Sequence, residues 1–474
     1  MSNQQDLKPD HCTSYFSDMA HDWGIVSALL GGTRRLREAG KAYLPQHESE
    51  TDAGYKARLQ GTTLLNVFGS TVTQMTSQAF ANPVTVDDLP SDLDYVQTSI
   101  DGRGKTVSDF GRRIFDCALK RGECFILVDM PSRGDEERNR RDSMEANRQP
   151  YAVFINPSQM LAYQSEIIQG QEVVTYARWK HTAVEREGDF GEVEKTYVTE
   201  WTDTDWRRWE KPTSKEQDWS IIGEGTHDFS FESVRAVPIV HLSFSEPGDD
   251  GLRRPPLMDL ADKNVEHWQS SSDQRNILTF SRFPILMLAG VSGEDVPNSN
   301  GKAALGPQTL IMSNNKDAKG DYLEPSGAAI AAGERDLDRL ERAMALLAAQ
   351  PYISRPGSIT ATQTALEEGK SSSIVEHWVE LTAQAVARII AMMGAWRSKP
   401  VKVAVRIKPE FAAMTANAEK VKALIEARRN GDISRRQFWI EMKALDFVSD
   451  GFDFEANEAG LTAEGEGGFE DVAA

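Results

Sequence analysis

The stretch PPLMDLADKNVEHWQSSSDQRNILTFSR, residues 255–282, constrains the fold of this chain more than any other. Its two leading prolines suit the first turn of a helix, and the early acids Asp259 and Asp262 suit the helix dipole. No breaker follows before Arg282, so the spacing predicts one helix of roughly 40 Å at ~1.5 Å per residue. Its faces are weakly apolar: Asn264, Gln269, Ser270 to Ser272, Gln274 and Asn276 interrupt any stripe. A helix this long and this polar does not sit in an ordinary core and must be held by neighbours.

A second helix returns over about Ala329 to Ala349. Leu337, Leu340, Met344 and Leu347 are spaced three, four and three, a coiled-coil-like seam. Glu334, Asp338, Glu341 and Arg342 lie outside it, and Asp338 and Arg342 can pair at i,i+4. Between the helices, FPILMLAGVSGEDVPNSNGKAALGPQTLIMSNNKDAKGDYLEPSG reads as two or three short strands broken by glycine-rich turns. A polar helix pair flanking a small β module suits a ring, where each helix packs on its neighbours' copies and one face lines a channel. Rings of identical subunits close by heterologous contacts. After the pair comes a loop with Pro351, Pro356 and Gly357, then a short possible helix, then a third helix with Ile374, Trp378, Leu381, Ala385 and Ile389 on one face. An alternating strand, VKVAVRI, and two further helices precede an acidic, glycine-rich tail after Glu455 that reads as disordered.

The N-terminal half is mixed. Residues 1–50 are polar with short apolar patches and read as an arm or loose helix. Leu64, Phe68, Val72, Met75 and Ala79 share a helical face, stopped by Asn82-Pro83. The hexapeptide DGRGKT, Asp101 to Thr106, resembles the tail of a phosphate-binding loop, yet the glycine required five residues before Gly104 is Ser99. The preceding Leu93, Val96 and Ile100 recur at helical spacing, where such a loop needs a strand. Gly102 and Gly104 therefore make a turn, and Thr106 caps a helix with Asp109 in its first turn. ECFILVDMP follows as an apolar strand, then a charged, periodless segment, SRGDEERNRRDSMEANRQ.

From Tyr151 to Phe244 short β segments dominate, and Trp179, Trp201, Trp206, Trp209 and Trp219 all fall here. Tryptophans fill the thin core of a small sheet domain; a stacking platform for sugars or bases is the other reading. Thr202–Asp205 contains a DxD, a metal-nucleotide motif of some glycosyltransferases, but it stands between two strand patterns, where Thr and Asp are ordinary turn formers.

Composition excludes several classes. With 53 basic against 72 acidic residues the net charge is −19, which repels nucleic acid and argues against a static DNA binder. Cys12, Cys117 and Cys124 fit neither a disulfide framework nor a zinc pattern, and read as reduced thiols in a cytosolic protein. The N-terminus has no apolar signal region, and runs such as FPILMLAG are too short to span a bilayer. The eight histidines are scattered, without HExxH, a GxSxG elbow or a Cys-His signature. No metal, cofactor or catalytic group is expected, which favours a structural or assembly protein over an enzyme.

Several segments in order resemble the tailed-bacteriophage portal proteins, the head–tail connectors. DGRGKTVSDFGRRIFDCALKRGECFILVDMP is similar to that family's helix-then-strand of the wing, and NPSQMLAY to the start of the wing sheet. The passage from VPIVHLSF through the long helix to FPILMLAG is similar to the run from wing into stem and clip. YISRPGSITATQTALEEGKSSSIVEHW resembles the tunnel loop and the helix after it. The resemblance implies an α+β portal-type fold: an N-terminal arm over 1–49, wing over 50–252 and 371–400, stem helices over 253–282 and 330–350, a small α/β clip over 283–329, a tunnel loop over 351–370 and a helical crown with the acidic tail over 401–474.

The resemblance further implies a dodecameric ring at one capsid vertex of the virion, assembled in the host bacterial cytoplasm. Double-stranded DNA passes through it during packaging and ejection. The partners implied are the terminase large subunit, a head-completion or adaptor protein, and the major capsid and scaffolding proteins, with no membrane involved. Negative walls lower the residence of DNA at each site, while Arg355 and Lys370 of the tunnel loop are candidates to touch it. Leu337, Leu340, Met344 and Leu347 are the candidates for stem oligomerisation. Two other classes remain open: a different oligomeric virion assembly protein, or a DxD-type glycosyltransferase.

Overall fold

The computed structural model describes residues 7–131, 148–212, 218–282, 285–289, 298–299, 302–303, 317, 319–323, 327–348, 361–410, 424, 426–428, 432–444 and 454, with backbone alone at 280–282, 285–288, 298–299, 302–303, 321–323, 361–373, 435 and 442–444. It is a mixed helix-and-sheet protein of two compact units, Met1–Pro409 and Glu410–Ala474. The expected tail after Glu455, the charged segment over 132–147 and most of the clip turns lie outside the described residues.

The N-terminal segment, expected as an arm, is instead part of the core. Helix α1, Ser14–Leu30, buries Phe16, Met19, Trp23, Val26 and Leu29. Their spacing of three, four, three and three is helical, and the polar residues between them are the outward face. Phe16, Met19 and Trp23 join Phe125, Ile155 and Trp179 in one apolar cluster, and Trp23 Nε1 donates to the Arg121 carbonyl at 3.0 Å. Helices α2, Gly32–Ala39, and α3, Asp52–Gly61, follow, with Thr51 capping α3 through the Gly54 amide. Helix α4, Val67–Ala79, buries Phe68, Val72, Met75 and Ala79 as the periodicity predicts. Leu64 precedes it, because Asn66 already caps the helix through the Gly69 amide.

DGRGKT is a turn. Asp101 Oδ1 accepts the amides of Arg103 at 2.9 Å and Lys105 at 3.0 Å, and Gly102 and Gly104 take the positive φ that such a turn requires. Thr106 caps α5, Val107–Arg121, by accepting the Asp109 amide at 3.1 Å. Leu93, Val96 and Ile100 are buried in short helical turns ahead of it. Beyond β1, Thr85–Asp87, strand β2, Glu123–Asp129, is the centre of an antiparallel sheet. It lies between β3, Tyr151–Ile155, and β11, Ile239–Ser243.

The tryptophan-rich region is a five-stranded antiparallel meander of β4, Met160–Ile168; β5, Gln171–Glu187; β6, Gly191–Thr202; β7, Asp205–Glu210; and β8, Ser220–Thr226. Trp179 and Trp201 are buried in the apolar cluster and Trp206 packs against it, so these rings fill a thin core. Two short strands, β9, Ser230–Phe231, and β10, Val234–Arg235, lead to β11.

Helix α6, Met258–Arg282, is followed by β12, Ile285–Ala289, and the short pair β13, Asn298–Ser299, and β14, Lys302–Ala303. Strand β15, Lys319–Leu323, then pairs antiparallel with β12 and leads into α7, Gly327–Leu347. Helix α8 runs from Ala361 to Trp396 without a break, so 361–370, expected within a loop, is helical. Its buried face is Val375, Val379, Thr382, Val386, Ile389 and Met393, with Trp378 and Ala385 beside it. Ile374 is exposed and Leu381 is half-buried, so the face is rotated by about one residue from that expected. Segment 401–409, expected to open the crown, belongs to the first unit, where β16, Ala404–Arg406, pairs with β1. In the second unit α9, Arg435–Ala444, starts with Ser434 Oγ accepting the Gln437 amide at 3.1 Å.

Candidate functional site

Several polar residues of α6 bond to partners within the chain, although the His267 ring nitrogens, Trp268 Nε1 and Gln274 Oε1 are buried without a hydrogen bond. Buried Asn264 accepts the Phe68 amide at 2.9 Å and donates to the Leu65 carbonyl at 2.8 Å, pinning the start of α4. Gln269 donates to the Tyr43 carbonyl at 2.9 Å, and Arg275 to that of Gly61 at 2.7 Å. Buried Ser272 meets Thr62 at 2.9 Å and Arg58 at 3.3 Å. A buried polar group costs free energy unless it is paired, and these pairings explain the helix that its sequence left unexplained. Polarity along α6 therefore does not by itself call for other subunits.

Arg58 is the hub of this strip. Its guanidinium donates to Glu50 at 2.8 and 2.7 Å and to the Pro45 carbonyl at 2.8 Å, and its Nη1 lies 3.5 Å from Asp273. The Arg58 hydrogen bonds hold the Glu50 carboxyl below the usual carboxylate range. The same bonds raise the Arg58 pKa.

Helix α7 runs antiparallel to α6. His267 faces Glu341 at 3.4 Å, Ser270 donates to Asp336 at 2.8 Å, and Gln274 donates to the Ile330 carbonyl at 3.1 Å. Moving outward along α6 thus moves backward along α7, and the β12–β15 ladder continues the same sense from Ile285↔Leu323 to Ala289↔Lys319. Helices and ladder therefore share one antiparallel sense. Of the four seam residues, Leu340 (2% exposed) and Met344 are buried together, Leu337 is half-buried, and Leu347 is 39% exposed beside the more exposed Leu346. The described ion pair on this helix is Arg339 with Asp336 at 2.9 Å, rather than the expected Asp338 with Arg342. Arg355 lies outside the described residues, and Lys370 is described only as a backbone position in α8.

Two other constellations have structural roles. Glu123, buried at the start of β2, accepts the Tyr15 hydroxyl at 2.9 Å and meets His241 Nε2 at 2.8 Å. His241 stacks on Phe125 with centroids 4.7 Å apart. Burial, then the Glu123 charge, pushes the Tyr15 phenol far up. This trio ties α1, β2 and β11 together, and its one sequence signal was a glutamate opening an otherwise apolar strand. The DxD sits in the β6–β7 turn, where Thr202 Oγ1 accepts the Asp205 amide at 2.9 Å and Thr204 Oγ1 donates to Asp205 at 2.8 Å. Among the described residues no group of three or more His, Cys, Asp or Glu side chains is arranged to hold a metal, and no helix is long and apolar enough to cross a membrane.

Residues 256–397, from α6 to the end of α8, match the model of a domain of unknown function (DUF4055). No curated protein matches. Among solved structures, the chain is similar to one from the neck of an empty gene transfer agent (GTA) particle computed with C6 symmetry. The identity is 14%, over 80% of this chain and 90% of that one, with a TM-score of 0.42. It is also similar to a chain of the virion of a native GTA particle, at 14% identity over 81% and 87%, TM-score 0.38. A third is from the neck of a native GTA particle computed with C12 symmetry, at 12% identity over 79% and 89%, TM-score 0.38.

Proposed function

We propose that this chain is a portal-type connector subunit of a tailed-phage-like particle. In this reading it forms a dodecameric ring at one capsid vertex and does no bond chemistry. Double-stranded DNA passes along the axis during packaging and ejection, and terminase and adaptor proteins dock on the ring. The observation that carries the reading is the pairing of α6 and α7 with the β12–β15 ladder. Two long antiparallel helices flank a small β module, which this reading takes as stem, clip and stem. The ordered sequence segments that resemble portal proteins support it independently, and the acidic composition suits a conduit past which DNA slides. Negative-stain imaging of the purified chain tests it. Rings with an axial channel are expected, and a monodisperse monomer over the accessible concentration range overturns the reading.

A further inference from the structure

Two of the three cysteines meet where α5 turns into β2. Cys117 lies near the end of α5 and Cys124 is the second residue of β2, and they are 4% and 0% exposed. Side chains of a helix lean over the turn that precedes them, which sets the Cys117 thiol toward Ile114. The Cys124 sulfur reaches the same place, 3.6 Å from the Ile114 carbonyl oxygen. The Cys117 sulfur in turn stands 3.9 Å from the carbonyl oxygen of Glu123, the residue bonded to Cys124. Each thiol thus lies against backbone beside the other, and the Cys124 thiol donates a hydrogen bond to the Cys117 sulfur. The turn between them is fixed. Gly122 takes the left-handed conformation at φ 86°. Its amide donates to the Ala118 carbonyl at 2.8 Å, and its own carbonyl accepts the Phe244 amide at 2.8 Å. A Cβ at Gly122 would stand 2.6 Å from the Arg253 carbonyl oxygen, so close packing holds the two cysteines in register.

Two thiols in hydrogen-bond contact need only a short approach of the sulfurs to reach bonding distance. Their surroundings give them different roles. The hydrogen bond from Cys124 lowers the Cys117 pKa while burial opposes it, and Arg121, one turn on, lowers it further. Burial pushes the Cys124 thiol up. The thiolate is the form that attacks a peroxide, so Cys117 reacts first and Cys124 keeps its proton until the second step. The Cys117 thiolate attacks one oxygen of hydrogen peroxide, a molecule little larger than water. The O–O bond breaks, the departing hydroxide takes up a proton to become water, and Cys117 becomes a sulfenic acid. The Cys124 sulfur then attacks the Cys117 sulfur. The S–S bond forms, the S–O bond breaks, and the departing hydroxyl leaves with the Cys124 proton as a second water. Two electrons pass from the sulfurs to the peroxide oxygens, and no other reactant is needed.

We propose that Cys117 and Cys124 are an oxidation site: in the folded chain a peroxide converts them to a reversible disulfide that ties the end of α5 to the central strand of the β11–β2–β3 sheet. The site belongs to the body of a single chain and is the same in a monomer as in a ring subunit. The full wild-type chain, folded, is treated with hydrogen peroxide, then denatured in N-ethylmaleimide and digested with trypsin without reductant. Trypsin cuts after Lys120 and Arg121, between the two cysteines, so the peptides that carry them stay joined only through the bond. Mass spectrometry is expected to find these peptides joined in most of the sample, lighter by two hydrogens than their sum. Because the bond restricts the unfolded chain, the oxidised protein should melt roughly 2–5 °C above the reduced one. Dithiothreitol should reverse both changes. Four results each overturn the site: both thiols alkylated, a bond to Cys12 or to a second copy in its place, Cys117 oxidised beyond the sulfenic acid without the bond, or a melting temperature that falls on oxidation.

Discussion

Gly333 on α7 lies so close to Gln274 on α6 that a Cβ at position 333 would stand 1.9 Å from Gln274 Oε1. Gln274 is buried and already committed to the Ile330 carbonyl, so it has little room to retreat. A glycine in the middle of a helix costs about 1 kcal/mol relative to alanine, and here that cost allows the two helices their close approach. Gly333→Ala is therefore expected to lower stability in spite of its better propensity, by about 1–3 kcal/mol as for other overpacked sites. Combining it with Gln274→Ala removes the clash, so the double variant should recover part of the loss. Urea denaturation of the four proteins measures the coupling, and additive effects would contradict the contact.

The leucine seam divides into an inner and an outer part. Leu340 is buried against α6, and Leu340→Ala is expected to cost about 2–5 kcal/mol. Leu347 is substantially exposed, so Leu347→Ala should stay within about 0.5 kcal/mol in the monomer. If the outer part meets another subunit, Leu347→Ala will reduce the ring fraction without moving the monomer midpoint. Equal monomer effects for the two variants would refute the division.

Acid should loosen the packing of the 45–62 segment on α6. The Glu50 pKa is lowered in the folded chain by its hydrogen bonds from Arg58. A depressed folded pKa contributes stability that is present above the unfolded value of about 4.3 and is lost as pH falls through the folded pKa. Glu50→Gln should accordingly melt below wild type at pH 7, with the gap narrowing below about pH 4. A gap that stays constant from pH 7 to pH 3 would show that the Glu50 charge contributes nothing.

Lys105 stands in a turn whose bonds are made by its backbone amide to Asp101, not by its side chain. Lys105→Ala is expected to change stability by less than about 0.5 kcal/mol, and neither form should turn over ATP. Asp101→Ala, which removes the acceptor for two amides, should cost about 1 kcal/mol. ATP hydrolysis that vanishes in Lys105→Ala would restore the phosphate-loop reading.

Arg355→Glu and Lys370→Glu are expected to leave ring assembly unchanged and to alter DNA retention or packaged length. In a ring each cation becomes a belt, and such contacts are strongly screened by salt. The readout is genome length and leakage in particles assembled with each variant. Wild-type behaviour from both would remove these residues from the path of DNA.

Local elements were legible in the sequence because they rest on short-range chemistry. The Thr106 cap, the α4 stripe, the apolar β2 strand and the span of α6 all follow from periodicity and from capping or turn residues a few positions apart. The same rules could have found α1, whose Phe16, Met19, Trp23 and Val26 are helically spaced; their polar neighbours masked them. Partners far apart along the chain had no such signal. Asn264 bonds Phe68, Ser272 bonds Thr62 and Glu123 bonds His241, and nothing in one stretch names the other. The polar face of α6 was visible in its residues, but whether water, a second subunit or the chain itself satisfied it was decided only by tertiary packing. A buried donor needs an acceptor at hydrogen-bond distance, and that distance is a property of the folded chain, set by how α3 and α4 lie against α6.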